Sequence, residues 1–249
     1  MKTKTILFFS LLIALSSLAQ KPKLIVGIVV DQMRVDYLTR YESKFGEGGF
    51  KKLIKGGYFN KNANFNYVPT FTGPGHASIF TGSVPRVNGI ISNDWYDKKT
   101  GKYVYCTDDE TVNTVGSESK AGKMSPRNML TTTIGDELRL ATNMQAKVIG
   151  ISQKDRASIL PAGHTANAAY WYDGSNGAFI TSTFYMQQLP TWVTNFNDRK
   201  LPEKYLSQDW TTLLPIASYT ESLADDNAFE CLFKGESKPV FPHKLAELK

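Results

Sequence analysis

Three stretches of this sequence hold side chains whose type and setting suit chemistry. Asp31 stands directly after the apolar run Lys23 to Val30. In open α/β sheets ligands gather beyond the carboxyl ends of the strands, so a carboxylate there reads as a ligand or base, or equally as a polar strand end or helix cap. Thr72 lies in Tyr67-Val-Pro-Thr-Phe-Thr-Gly-Pro-Gly-His-Ala-Ser-Ile-Phe-Thr-Gly82, which reads as a strand-to-helix turn. Thr72 is the expected N-cap, Pro74 falls close to the first helical position, and Gly82 ends the element. At such a helix start, backbone N–H groups and the positive helix end favour a bound phosphate, and also an alkoxide developing on a hydroxyl held there. The same residues would also serve as an ordinary structural cap. Lys154-Asp155-Arg156 closes a second apolar run. On an extended backbone its two cations project to one side and Asp155 to the other, as converging donors or as an exposed mixed-charge turn.

The elements that must position these residues read as alternating helix and strand. Lys23 to Val30 is β-branched without alternation, which predicts a parallel strand buried on both faces. Helices are expected around Val35 to Tyr41 and Gly49 to Lys55, the second stopped by Gly56 and Gly57. Residues 97–124 are polar and read as a long surface loop or irregular hairpin. Ser125-Pro126 is expected to open a helix whose apolar positions are Met129, Leu130, Ile134, Leu138 and Ala141, followed by a second buried strand from Lys147 to Ser152. Helix followed by short apolar strand is an α/β signature. Asp173-Gly-Ser-Asn-Gly177, flanked by aromatic and β-branched residues, predicts a hairpin within Ala168 to Tyr185. Residues 186–249 alternate helix-like pieces with prolines, and the stripe Trp192 to Phe196 reads as core packing.

The 249 residues are 41% apolar and 21% charged, which excludes collagen-like, low-complexity and broadly disordered classes. The net charge of +6 is mild, and without a run of five like charges it argues against a nucleic-acid partner. Residues 1–20 have the form of a cleavable secretory signal: basic Lys2 and Lys4, apolar Ile6 to Ala14, and small Ser16, Ser17 and Ala19. The expectation is a periplasmic or secreted protein with residues 21–249 as its folded portion and no membrane attachment after signal removal. Cys106 and Cys231 could pair in an oxidising compartment or remain two buried thiols.

The ordered set Asp31, Pro-Thr-Phe-Thr72-Gly-Pro-Gly-His76, Thr81-Gly82-Ser-Val-Pro85, Gly89-Ile, Asn93-Asp-Trp95 and Lys154-x-Arg156 resembles the PafA-type alkaline phosphatases. These belong to the type I phosphodiesterase/nucleotide pyrophosphatase group of the alkaline phosphatase superfamily. Tyr105-Cys-Thr-Asp-Asp109 and Gly163-His-Thr-Ala-Asn-Ala-Ala-Tyr-Trp171 extend the resemblance over nearly all of residues 23–249. It implies a mostly parallel sheet flanked by helices and the hydrolysis of small phosphate monoesters. Thr72 would be the nucleophile, passing through a phospho-threonine, while Asp31 and the Thr72 oxygen would bind one of two zinc ions. Asn93, Lys154 and Arg156 would contact the non-bridging phosphoryl oxygens, and two cations beside an amide suit a dianion. His76 reads as structural support one helical turn past the nucleophile.

The resemblance also implies zinc ligands that this sequence does not hold. The family has an Asp-x-x-x-His pair, an adjacent Asp-His and a later lone His. Here the residues four before His76, His164 and His243 are Thr72, Leu160 and Pro239, and no Asp-His dipeptide occurs. A pair of catalytic zincs wants about six protein ligands. The expectation is therefore the N-terminal portion of such an enzyme, inactive by itself, with His164 and His243 as loop or surface histidines. Phosphodiester or nucleotide pyrophosphate hydrolysis, or a non-catalytic anion-binding fragment, are the alternative readings.

Overall fold

The computed structural model describes residues 22–248. The proposed signal at residues 1–20 lies outside them. The chain divides into two compact units, one ending at Glu42 and one beginning at Ser43.

The described residues of the first unit include the apolar run and a short helix, α1 (Tyr37–Arg40). Residues 24–30 do not form the expected buried strand. Among the described residues they pair with no strand, and Leu24, Ile25 and Ile28 are exposed. An isolated strand leaves its N–H and C=O groups without ladder partners, so a β-branched run becomes a strand only where a neighbour supplies them. Asp31 follows in a turn. Asp36 pairs with Arg34 at 3.0 Å and with Arg40 at 3.7 Å, and Tyr37 stacks on Tyr41 one turn later.

The second unit is built around a mixed four-stranded sheet. Helix α2 (Gly49–Gly56) stops where Gly57 N–H donates to Leu53 O at 2.9 Å. Then come α3 (Thr72–Thr81), α4 (Pro85–Asn88), the hairpin β1 (Asp94–Asp97) and β2 (Lys102–Tyr105), and the short β3 (Thr114–Val115). Helix α5 (Ile134–Ala141) leads to β4 (Ile149–Ser152), α6 (Asp155–Ala162), β5 (Ala168–Asp173), β6 (Ala178–Ser182), α7 (Thr191–Asn197) and α8 (Leu201–Leu206). The sheet order is β3-β6-β5-β4. β4 pairs β5 in parallel, Ile149 opposite Ala168, and β5 pairs β6 antiparallel through the expected Asp173–Gly177 turn. The α/β class is as expected, while within this four-stranded sheet one pair is parallel and two are antiparallel.

β5 is central, and its two faces bury different cores. Ala169 and Trp171 pack with Ile159 of α6 and Ile180 of β6, whereas Ala168 and Tyr170 pack with Val193 of α7. Trp171 is 1% exposed and its Nε1–H donates to Ala121 O at 2.9 Å, which satisfies the one polar atom that burial would otherwise orphan. β4 differs from the expected buried strand because it is the sheet edge. With β5 on one side only, Ile149 and Ile151 remain exposed. Ile151 joins Tyr170, Phe179, Trp192, Val193 and Phe196 around an apolar concavity of about 150 Å³. The Trp192–Phe196 stripe is therefore only half core: Val193 is buried, but Trp192 faces outward against the edge of Tyr170.

Residues 97–124 are more than a surface loop. After the β1–β2 hairpin the chain turns inward, burying Cys106, Thr107, Val112 and Val115. This accounts for the missing helix at Ser125. Residues 125–130 turn their polar groups to the inward segment: Ser125 Oγ–H donates to Asp109 Oδ2 at 2.6 Å and Asn128 Nδ2–H to Tyr105 O at 3.2 Å. The helix begins instead after Thr133, whose hydroxyl accepts from Asp136 N–H while the Asp136 carboxylate accepts from Thr133 N–H, a reciprocal capping box.

Candidate phosphoryl-transfer site

Thr72 is the first residue of α3, and the extended Phe71 occupies the cap position expected for Thr72. The reason lies in Asn93. Its Oδ1 accepts from Gly73 N–H at 2.7 Å, so a helix-start donor is satisfied from another segment and capping does not need the Thr72 hydroxyl. Pro74, third in the helix and buried, has no N–H to leave unpaired there. Gly73 sits at a close approach. A Cβ on it would lie 3.0 Å from Asn93 Oδ1, 3.3 Å from Ser92 O and 3.4 Å from Cys106 Sγ. His76 Nδ1 lies 3.0 Å from Thr72 O, which matches the expected support of the first turn.

Because the Asn93 carbonyl end is held by Gly73, its amide NH₂ end is directed away from the helix backbone. Asn93 is tied in turn to the end of β2, since Cys106 N–H donates to Asn93 O at 2.8 Å. Cys106 packs with Ala77 of α3 and Leu160 of α6, and burial pushes its thiol up to about 12. Both cysteines are free thiols, Cys106 buried and Cys231 exposed.

The same β2 end anchors the second cationic segment. Lys154 is extended and exposed, but Asp155 and Arg156 form the first turn of α6. The shared side expected of an extended Lys154-Asp155-Arg156 is therefore not formed, because the helix rotates Arg156 about 100° per residue away from a strand's alternation. Arg156 Nη1–H donates to Tyr105 Oη at 2.8 Å, and Tyr105 O–H donates to Asp155 Oδ1 at 2.7 Å. Thr107 Oγ1–H donates to the same oxygen at 3.1 Å. Burial and the neighbouring Asp155 carboxylate both raise the Tyr105 phenol above its ordinary range. Burial opposes the Arg156 charge, yet the Tyr105 hydrogen bond holds the guanidinium pKa above its usual value.

A continuous chain of contacts thus joins Thr72, through Gly73, Asn93 and Cys106, to Tyr105 and Arg156. α3 and α6 pack against one another, so both helix starts meet the Asn93 and 105–107 segments. Lys154 adjoins this cluster in sequence, with its side chain in solvent. Asp31 belongs to the first unit. Sequence reasoning missed Tyr105 and Asp155 as partners of Arg156; the motif Tyr105-Cys-Thr-Asp-Asp109 was the available signal.

Among the described residues no group of three or more His, Cys, Asp or Glu side chains could hold a metal ion, so the residues present do not fit a zinc pair. His164 is half-buried at the end of α6, its N–H donating to Asp136 Oδ2 at 3.2 Å. His243 departs from the surface reading. It is buried, its Nδ1 2.7 Å from Glu236 Oε1, with Trp210, Phe233 and Phe241 around its ring.

Residues 25–238 match the model of the type I phosphodiesterase / nucleotide pyrophosphatase family, and the chain belongs to that family. It is 58% identical over 223 residues to the alkaline phosphatase PhoV of Synechococcus elongatus, covering 90% of this chain and 40% of PhoV. It superimposes on the crystal structure of the alkaline phosphatase PafA with a TM-score of 0.86 at 55% identity, over 92% of this chain and 44% of PafA. It matches equally, at 53% identity, a PafA variant substituted at one threonine, one asparagine, one lysine and one arginine. The chain spans less than half the length of these relatives.

Proposed function

We propose that this chain supplies the nucleophile and the phosphoryl-oxygen contacts of an exported phosphate monoesterase. The observation that carries the reading is the Gly73–Asn93 hydrogen bond, which sets an amide donor beside Thr72 at the start of a ten-residue helix. Thr72 Oγ1 would bond to phosphorus as the ester oxygen leaves, and water would then displace Thr72 to release inorganic phosphate. The Asn93 amide and the Arg156 guanidinium would take non-bridging oxygens, with Lys154 adding charge suited to a dianionic monoester. Such a site works by positioning and charge stabilisation, which is what an amide and two cations supply. Two named alkaline phosphatases among its relatives support the reading, as does the set of residue types substituted in the PafA variant, the same as Thr72, Asn93, Lys154 and Arg156. Zinc dependence is part of the proposal for the whole enzyme.

The test joins residues 22–248 to the part of PafA they do not cover and assays p-nitrophenyl phosphate against bis(p-nitrophenyl) phosphate. The joined protein should prefer the monoester, and Thr72→Ala should remove nearly all turnover and the acid-stable phospho-threonine seen by mass spectrometry. A faster diester reaction, or a Thr72→Ala variant that keeps its rate, would overturn the proposal. N-terminal sequencing of secreted material checks export, expected to begin near Gln20 or Lys21.

A further inference from the structure

We infer that Tyr105, held by Asp155, is a positioning residue that fixes the guanidinium of Arg156 without neutralising it. The inference rests on the phosphoryl role proposed for Arg156. Its basis is the direction of the hydrogen bonds. The Tyr105 proton goes to Asp155 Oδ1 at 2.7 Å, so only the lone pairs of its oxygen face Arg156 Nη1 at 2.8 Å. Among the described residues Arg156 forms no ion pair, although the Asp155 carboxylate is its sequence neighbour.

A direct Arg156–Asp155 contact would fix the side chain equally well, but it would place a competing anion on the guanidinium. The interposed phenol holds one edge of the fork and leaves the positive charge for a ligand. The rest of the brace is equally over-determined. Thr107 and the Arg156 backbone N–H also donate to Asp155 Oδ1, which pins the acceptor from two elements. The Arg156 carbon sits 5.9 Å from the Tyr105 ring centroid, at the limit of a cation–π contact. Arg156 Nε is buried with no protein partner.

The experiment uses the full chain labelled with ¹⁵N-arginine. Rotation about the Arg156 guanidinium bond, read from exchange between its Nη resonances, should be slow in the natural sequence and at least tenfold faster in Tyr105→Phe, which keeps the ring and removes the bridge. Asp155→Asn, which leaves Tyr105 in place and keeps an acceptor for its hydroxyl, should retain most of the slow rotation. Titration with inorganic phosphate should shift the Arg156 Nε signal, with half-saturation about tenfold higher in Tyr105→Phe, the cost of about one charge-assisted contact. Unchanged rotation, or unchanged phosphate affinity, in a folded Tyr105→Phe would overturn the positioning role. If instead the natural chain's Arg156 ignored phosphate while the rotation data held, the failure would lie with the phosphoryl role itself, and the positioning role would fall with it.

Discussion

At the scale of single residues, the site depends on one close approach. A Cβ on Gly73 would press on Asn93 Oδ1 at 3.0 Å and on Ser92 O at 3.3 Å, so these neighbours would have to shift. Gly73→Ala should therefore destabilise the chain by about 1 to 3 kcal/mol, read by urea unfolding, and displace the Asn93 amide, lowering monoester kcat/KM in the joined enzyme. A fully active Gly73→Ala would show that Asn93 does not need this anchor. The two cations should differ. Arg156 is braced and Lys154 is in solvent, so Arg156→Ala should slow monoester hydrolysis roughly tenfold to a hundredfold and Lys154→Ala less. Diesters, with one negative charge fewer, should lose less in both; equal losses on both substrate types would assign the pair to general electrostatics. Asp173 carries a different dependence. Burial alone would raise its carboxyl, but donation from Ser119, Ser117 and Ser175 brings it from 3.8 down to about 2. A depressed folded pKa stabilises above the unfolded value and is lost on acidification. Between about pH 4 and pH 2 the chain should lose roughly 2 kcal/mol through this group, and Asp173→Asn should flatten that part of the acid unfolding curve.

At the scale of elements, the capping box of α5 holds two segments. The Asp136 carboxylate accepts from Thr133 and from the backbone N–H groups of His164 and Thr165, so it fastens the start of α5 to the loop before β5. Thr133→Ala should cost about 1 to 2 kcal/mol, a capping loss. Asp136→Ala, which orphans several buried donors at once, should cost more than 3 kcal/mol; similar values for both in urea would mean that the loop contacts contribute nothing. These elements also show where sequence patterns suffice. The Asp173–Gly177 hairpin and the Gly57 and Gly82 stops depend on local turn chemistry, and they form where expected. The strand at 24–30 and the helix at Ser125 depend on partners distant in sequence, which no local pattern records. The candidate site is legible in the same uneven way. Thr72 and Asn93 sit in recognisable motifs, but the Tyr105 brace exists only once residues 50 positions apart are brought together.

At the scale of the second unit, the sheet has β4 as an edge strand. β4 offers unpaired backbone groups and the exposed side chains of Ile149 and Ile151, and such an edge is a template for another strand. The isolated chain should therefore associate with rising concentration. Ile151→Lys should lower its light scattering without altering the far-UV circular dichroism; unchanged scattering would place the association elsewhere.

The burial of Trp171 makes the sheet observable in its own right. Of the four tryptophans, Trp171 is sealed at the sheet–α6 contact with its indole N–H bonded, while Trp192 and Trp210 are half exposed. In a Trp95→Phe background, whose partly buried indole is removed, iodide should therefore quench the long-wavelength part of the fluorescence and leave a blue component that belongs to the central strand. That component marks, with no added label, the moment at which β5 opens.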